Sequence, residues 1–236
     1  MASTREALIE HGALLFARHG VTGVTTRQLH EAVGARNESA LHYHFGGRDG
    51  LVLEILRQHL DAIESRRARL LAGIVAEDRH GDLRALVHAL AAPMAEDLST
   101  PLGRAHLRLV AQLSHPSLAY QPPFRMADAA PAGIAVARWL HDALAGLPAP
   151  VRTERLALLR DQLISLFGLR AKLVDDAGDS GGERADTELF VSNLVDVLVA
   201  GLHIEPSGDT LAVATGFAAG SKGKATGPFV NDLEVR

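Results

Sequence analysis

Ser39, His42 and Tyr43 place a hydroxyl, an imidazole and a phenol within five residues of one another, a set suited to hydrogen bonding rather than to bond making. At 100° per residue, a helix over these positions turns Ser39, Ala40, His42 and Tyr43 away from the side that Leu41 and Phe45 would bury. Polar tips on a two-turn rod fit the major groove of double-stranded DNA, about 12 Å wide, and can pair with base edges there. His44 and Tyr43, with Arg27, Arg36 and Arg48 around them, are candidates for the phosphates flanking such a groove.

Other chemistries suggested by local spelling lack the partners they need. Gly178-Asp-Ser-Gly-Gly182 matches the loop around the nucleophile of chymotrypsin-like serine proteases, but that chemistry needs a positioned histidine and an oxyanion hole among strands, whereas this copy joins two helical segments. His42 and His44 diverge by about 200° on a helix, and no thiol or carboxylate completes a metal set. Asn37-Glu-Ser39 is formally a glycosylation sequon, without meaning in a helix cap of a cytoplasmic chain. No cofactor, metal site or catalytic residue is therefore expected.

The elements that must position the reading face lie within Thr25–Leu51. Leu29, Ala32 and Val33 give a first short helix one apolar side, and Gly34 is a natural stop. Asn37 offers a side-chain oxygen to start a second helix, whose stripe is Leu41 and Phe45. Upstream, Leu8, Ile9, Gly12, Leu15 and Phe16 share one face of a leading helix that Ser3 and Glu6 are spaced to cap.

With this helix pair, the phrase Gly20-Val-Thr-Gly-Val-Thr-Thr26 and the run Leu41-His-Tyr-His-Phe-Gly-Gly-Arg-Asp-Gly-Leu51, the first fifty positions resemble the DNA-binding domain of the TetR family of bacterial transcriptional repressors. The family usually has its turn glycine six residues before the leucine matching Leu41; here Gly34 lies seven before, so the turn is expected to be one residue longer. The resemblance implies an all-α fold with an N-terminal helix-turn-helix domain (1–48), a helical effector-binding and dimerisation domain (49–205) and, beyond the usual endpoint, a low-order tail (206–236). It further implies a homodimeric repressor without enzymatic activity that binds near-palindromic double-stranded DNA. The alternatives are a helical binding or scaffold protein of the same fold without gene control and, from another class, a hydrolase acting through Ser180.

The charge is unusual for a DNA-binding chain. The net value is −4, and residues 1–50 carry five arginines against five acidic side chains, so affinity must come from placement and dimerisation rather than from a basic surface. There is no cysteine, the N-terminus lacks a signal-peptide pattern, and a cytoplasmic location is expected.

After Leu51 the chain turns to long helical runs, expected over 49–74, 82–98, 102–113, 124–146, 153–174 and 184–203, with Pro93 and Pro131 kinking their helices or delaying a start. On the last two, Leu156, Leu159, Leu163 and Leu166 and then Leu194, Val197 and Leu198 recur at helical spacing. The resemblance implies that these helices pair with their symmetry mates in a four-helix bundle. His106 falls on the stripe Leu102, His106, Leu109, Leu113, where a polar group must find a partner. With Gln112, Tyr120, Phe124, Trp139 and Phe167 it forms the expected lining for a small lipophilic or aromatic effector with one polar end.

Overall fold

The computed structural model describes residues 3–34, 39–114, 130–177 and 183–220, which fold into ten α-helices with no strand among them. These are α1 (Thr4–His19), α2 (Thr26–Ala32), α3 (Ala40–Phe45), α4 (Arg48–Ala76), α5 (Leu83–Asp97), α6 (Pro101–Leu113), α7 (Pro131–Ala143), α8 (Ala149–Ala177), α9 (Glu183–His203) and α10 (Gly208–Gly220). No single described helix is long and apolar enough to cross a membrane.

Local chemistry sets most of the boundaries. Ser3 Oγ accepts from the Glu6 amide at 3.2 Å while the Ser3 amide donates to Glu6 Oε2 at 2.8 Å, a reciprocal cap that starts α1. Thr25 and Gln28 repeat this arrangement at α2. Pro131 stands at the first position of α7, where its missing N–H costs nothing. The helix expected from 124 thus begins at Pro131 in the described residues. Pro93 stays inside α5, and its carbonyl accepts from Arg66 Nη1 at 2.6 Å.

Two apolar cores result, and α4 runs through both. Leu8, Phe16, Leu29 and Leu41 from α1–α3 pack with Leu51, Val52, Ile55 and Leu56 of α4 and with Leu109 and Val110 of α6. Further along α4, Ile63, Leu71 and Ile74 join Leu86, Val136, Phe167 and Leu194 in the larger core of α4, α5, α7, α8 and α9. Helices α6 and α8 cross closely: a Cβ at Gly168 would overlap the Ala111 side chain.

Two expectations need correction. Leu159, Leu163, Leu194 and Leu198, anticipated on a dimer surface, lie in the monomer core, and Leu156 packs half-buried against it. Helical spacing marks a buried stripe but not its partner, and here α8 and α9 turn these residues toward α5 and α6 within the same chain. Leu166 and Val197 do remain exposed, together with Leu158, Leu169 and Leu173 on α8 and Leu189 on α9. The tail is also not loose throughout, because Gly208–Gly220 is helical. Apolar and small residues on every side hide any period, while alanine favours helix and Ser207 Oγ accepts from the Thr210 amide at 3.3 Å at its start. Residues 221–236 lie outside the described residues.

Candidate DNA-binding surface and the interior of the body

Leu41 alone of α3 is fully buried, anchoring the helix to the N-terminal core, and Phe45 is half-covered beneath the Arg5 guanidinium at 5.5 Å. The opposite side is open. Tyr43 is 83% exposed, His42 and Ser39 are exposed, and His44 is half-covered with its ring edge-on to Tyr43 at 5.0 Å. Ser39 sits at the N-cap position of α3 without a capping side-chain bond.

The flanking arginines differ. Arg27 projects from α2 and pairs with Glu31 at 2.6 Å, an exposed i,i+4 pair worth only a few tenths of a kcal/mol, ~0.5, and so easily exchanged for a phosphate. Arg48, expected at a phosphate, has a partner within the chain. Its Nη1 donates to the Val24 carbonyl at 3.1 Å, pinning the start of α4 to the turn before α2, a long-range bond that spacing cannot reveal. Arg36 and Asn37 lie outside the described residues.

The corner between α3 and α4 is tight. Gly46 (φ 71°) and Gly47 (φ 128°) both have left-handed backbones that side chains disfavour. A Cβ at Gly50 would run into the Phe45 carbonyl. What ties α3 to α4 is packing, since Leu41 shares a core with Leu51, Val52 and Ile55. Below the corner, Arg5 reaches Glu54 at 2.6 Å and Arg57 meets the same carboxylate at 2.9 Å; these arginines hold the Glu54 carboxyl down at about 2.

Further down, α4 carries buried polar groups. Glu64 pairs with Arg67, and its Oε2 accepts from the Ala132 and Gly133 amides at 2.7 and 3.1 Å, capping α7 from across the core. The His59 ring lies 4.8 Å from that of His106 on α6, and its Nδ1 is 3.3 Å from Asp97 Oδ2 without completing a hydrogen bond. Burial, followed by the neighbouring His106 and Arg66, pushes His59 down to about 3 despite that carboxylate, and burial with Arg66 pushes His106 down to about 4. Burial raises the Asp97 carboxyl, although Arg66 Nη2 donates to its Oδ1 at 2.7 Å. His106 Nε2 and Asp97 Oδ2 are buried without a hydrogen-bond partner.

Of the residues expected to line one effector cavity, the four described ones have partners of their own. His106 belongs to the buried pair just described, and Gln112 spends its amide on the Ala17 carbonyl at 2.8 Å, tying α6 to α1. Trp139 stacks edge-on to His80 at 4.6 Å, and Phe167 is fully buried against Phe190. Tyr120 and Phe124 fall outside the described residues, as does the Gly178–Gly182 loop. Instead, a cleft of about 1270 Å³ opens between α4, α5, α8 and α9. Its walls include Leu70, Ile74, Leu98, Val174, Val191 and Val195, and its polar lining includes Arg66, Asp97, Ser99, Thr100, Thr187 and Ser192. Sequence reasoning missed it because Arg66 and Asp97 lie 31 residues apart and only packing pairs them. The one available signal was a charge cluster, Arg66-Arg67, in an otherwise apolar face. Among the described residues, no group of three His, Asp or Glu side chains has metal-holding geometry.

A short outward-facing helix braced by a preceding one, and joined by a tight corner to a long helix of an all-helical body, is the arrangement of a helix-turn-helix DNA-binding regulator. The comparisons with known proteins agree: residues 8–55 match the family model described as bacterial regulatory proteins, tetR family. Residues 8–55 are thus a TetR-family helix-turn-helix segment. It is 36% identical over 56 residues to the HTH-type transcriptional repressor AcnR of Corynebacterium glutamicum, covering 24% of this chain and 29% of that protein. It is 34% identical over 83 residues to the HTH-type transcriptional repressor KstR2 of Rhodococcus jostii, covering 35% of this chain and 39% of that one. Both alignments thus span well under half of the relative. The fold is similar to that of PfmR, a TetR family transcriptional regulator from Thermus thermophilus, with a TM-score of 0.54 at 16% identity over 88% of this chain and all of that one.

Proposed function

We propose that this chain acts as a homodimeric transcriptional repressor that a small molecule releases from its operator. The observation that carries the proposal is the outward face of α3, where Ser39, His42 and Tyr43 stand exposed on a helix whose other side is locked into the core. These three address base edges, while Arg27, Arg36, Tyr43 and His44 meet phosphates. Two copies paired through the exposed stripes of α8 and α9 set two reading helices on one face of the duplex. The packing of α3 on α4 through Leu41 supports the release step, because a ligand that moves α4 changes the spacing of the pair.

Footprinting on DNA flanking the gene tests this. The expected result is a near-palindrome with half-site centres about one helical turn apart or somewhat more, and affinity that falls steeply with salt. Ser39→Ala and His42→Ala should each cost about 1–3 kcal/mol at particular base pairs and leave non-specific binding nearly intact. Equal affinity for random and flanking DNA at matched salt would overturn the proposal.

A further inference from the structure

The N-terminal helices meet the body along two elements. The chain carries them into α4, and α6 lies against α1 from the side. On α6, Leu109, Gln112 and Leu113 share one face, and Leu107 and Ala111 share the opposite one. The first face is turned to the N-terminal module. Leu109 is fully buried in the core that holds Leu8 and Phe16, Leu113 is half-covered against that core, and Gln112 Nε2 donates to the Ala17 carbonyl at 2.8 Å. Ala17 is 2% exposed and stands in the last turn of α1, where carbonyls have no partner further along the helix. Gln112 supplies the donor that the end of the helix lacks. The other face is turned to α8: a Cβ at Gly168 would overlap the Ala111 side chain, and Leu107 joins Leu163 and Phe167 in the larger core. Leu169, next in the chain to Gly168, is on the exposed stripe proposed to pair two copies. Helix α6 thus stands between the pairing helix and the module that carries the reading face.

Resting on the paired-copy reading above, we propose that Gln112 is a positioning residue for operator spacing. By bonding the end of α1 to α6, it fixes where each reading head stands relative to its partner's, and so which separation of half-sites the dimer accepts. A module attached along one helix can tilt about that helix, and a second attachment on another helix opposes the tilt. One base pair more or less between half-sites moves the second by about 3.4 Å and turns it by about 35°, so a small tilt decides which spacing fits. Gln112 is bonded within the chain and acts on DNA through α1.

Selection of the full-length protein on random double-stranded DNA tests the assignment, followed by band shifts at matched salt. The probes are the selected operator, its isolated half-site, and operators with one base pair inserted or deleted between half-sites. Wild type should lose about tenfold or more in affinity on either altered spacing. Gln112→Leu should bind the half-site within about twofold of wild type and lose no more than about threefold on the altered spacings. Gln112→Lys, which keeps a donor of similar reach for a helix-end carbonyl, should restore the discrimination. A Gln112→Leu protein that discriminates spacings like wild type, or that weakens half-site and full operator equally, would overturn the role of Gln112. If Gln112→Leu does not fold, Gly168→Ala carries the test: by pushing α6 off α8 it should relax or shift the preferred spacing, and adding Ala111→Gly should restore it. An unmoved spacing in Gly168→Ala would then overturn the proposal. Wild type that selects single half-sites would overturn the paired reading and this role with it. Paired half-sites in wild type, with spacing unmoved by Gln112→Leu, would overturn this role alone.

Discussion

Replacing Leu169 by alanine separates the face proposed to pair two copies from the core behind it. Leu169 is 53% exposed on α8, whereas Leu163, less than two turns away, is 4% exposed. Full burial of a leucine side chain is worth about 1.5–3 kcal/mol, so covering the exposed half at an interface is worth roughly 0.8–1.6 kcal/mol per copy. Two-fold symmetry counts every substitution twice. Leu169→Ala should therefore weaken the dimer by roughly 1.6–3.2 kcal/mol, or about 15- to 200-fold in dissociation constant. Leu163→Ala should instead open a cavity in the core and cost about 2–5 kcal/mol of fold stability. Sedimentation equilibrium over a dilution series reads the first effect and urea unfolding the second. Operator affinity should fall with dimerisation in Leu169→Ala, while binding of an isolated half-site stays as in wild type. A Leu169 variant that dimerises like wild type, with Leu163→Ala the one that dissociates, would refute the division of α8 into an inner and an outer face.

Arg48→Met should lower the melting temperature by removing the bond to the Val24 carbonyl, and leave the salt dependence of DNA binding as in wild type; a flatter salt slope would restore Arg48 to the phosphates. Acid should destabilise the fold through His59 and His106, whose folded values of about 3 and 4 lie below the ordinary 6.5. Between these limits the unfolded chain binds protons that the folded chain does not, so stability is fully present above 6.5. It is lost as pH falls, at up to about 1.4 kcal/mol per unit for each imidazole, and levels off at the folded values. The raised Asp97 carboxyl acts in the opposite sense, and it is common to wild type and variant. A His59→Leu, His106→Leu protein should thus lose less stability than wild type between pH 7 and 4.5 in urea titrations, and an equal loss would dismiss the pair as the cause.

Much of this molecule was written locally. The reciprocal caps of Ser3 with Glu6 and Thr25 with Gln28, the Leu41–Phe45 stripe and the glycines after α3 each depend on residues within a turn or two, so side-chain type and spacing suffice to place them. The family resemblance carried the same N-terminal module, whose outward face follows from 100° steps once Leu41 is known to point inward. The partners of each side chain were another matter. Arg48 could be placed beside the reading helix, but only the fold turns it to Val24. Leu159 and Leu163 could be recognised as a buried stripe, yet whether α8 buries it in its own chain or in another depends on where α5 and α6 lie. The helical tail at Gly208–Gly220 escaped notice because a helix apolar on every side has no period. His106 was legible as a polar group needing company, while its neighbours His59 and Asp97 come from other helices. Sequence determines what a helix is and which side it hides; long-range packing, summed over contacts far apart in the chain, decides against what it hides and which polar groups are left facing a cleft.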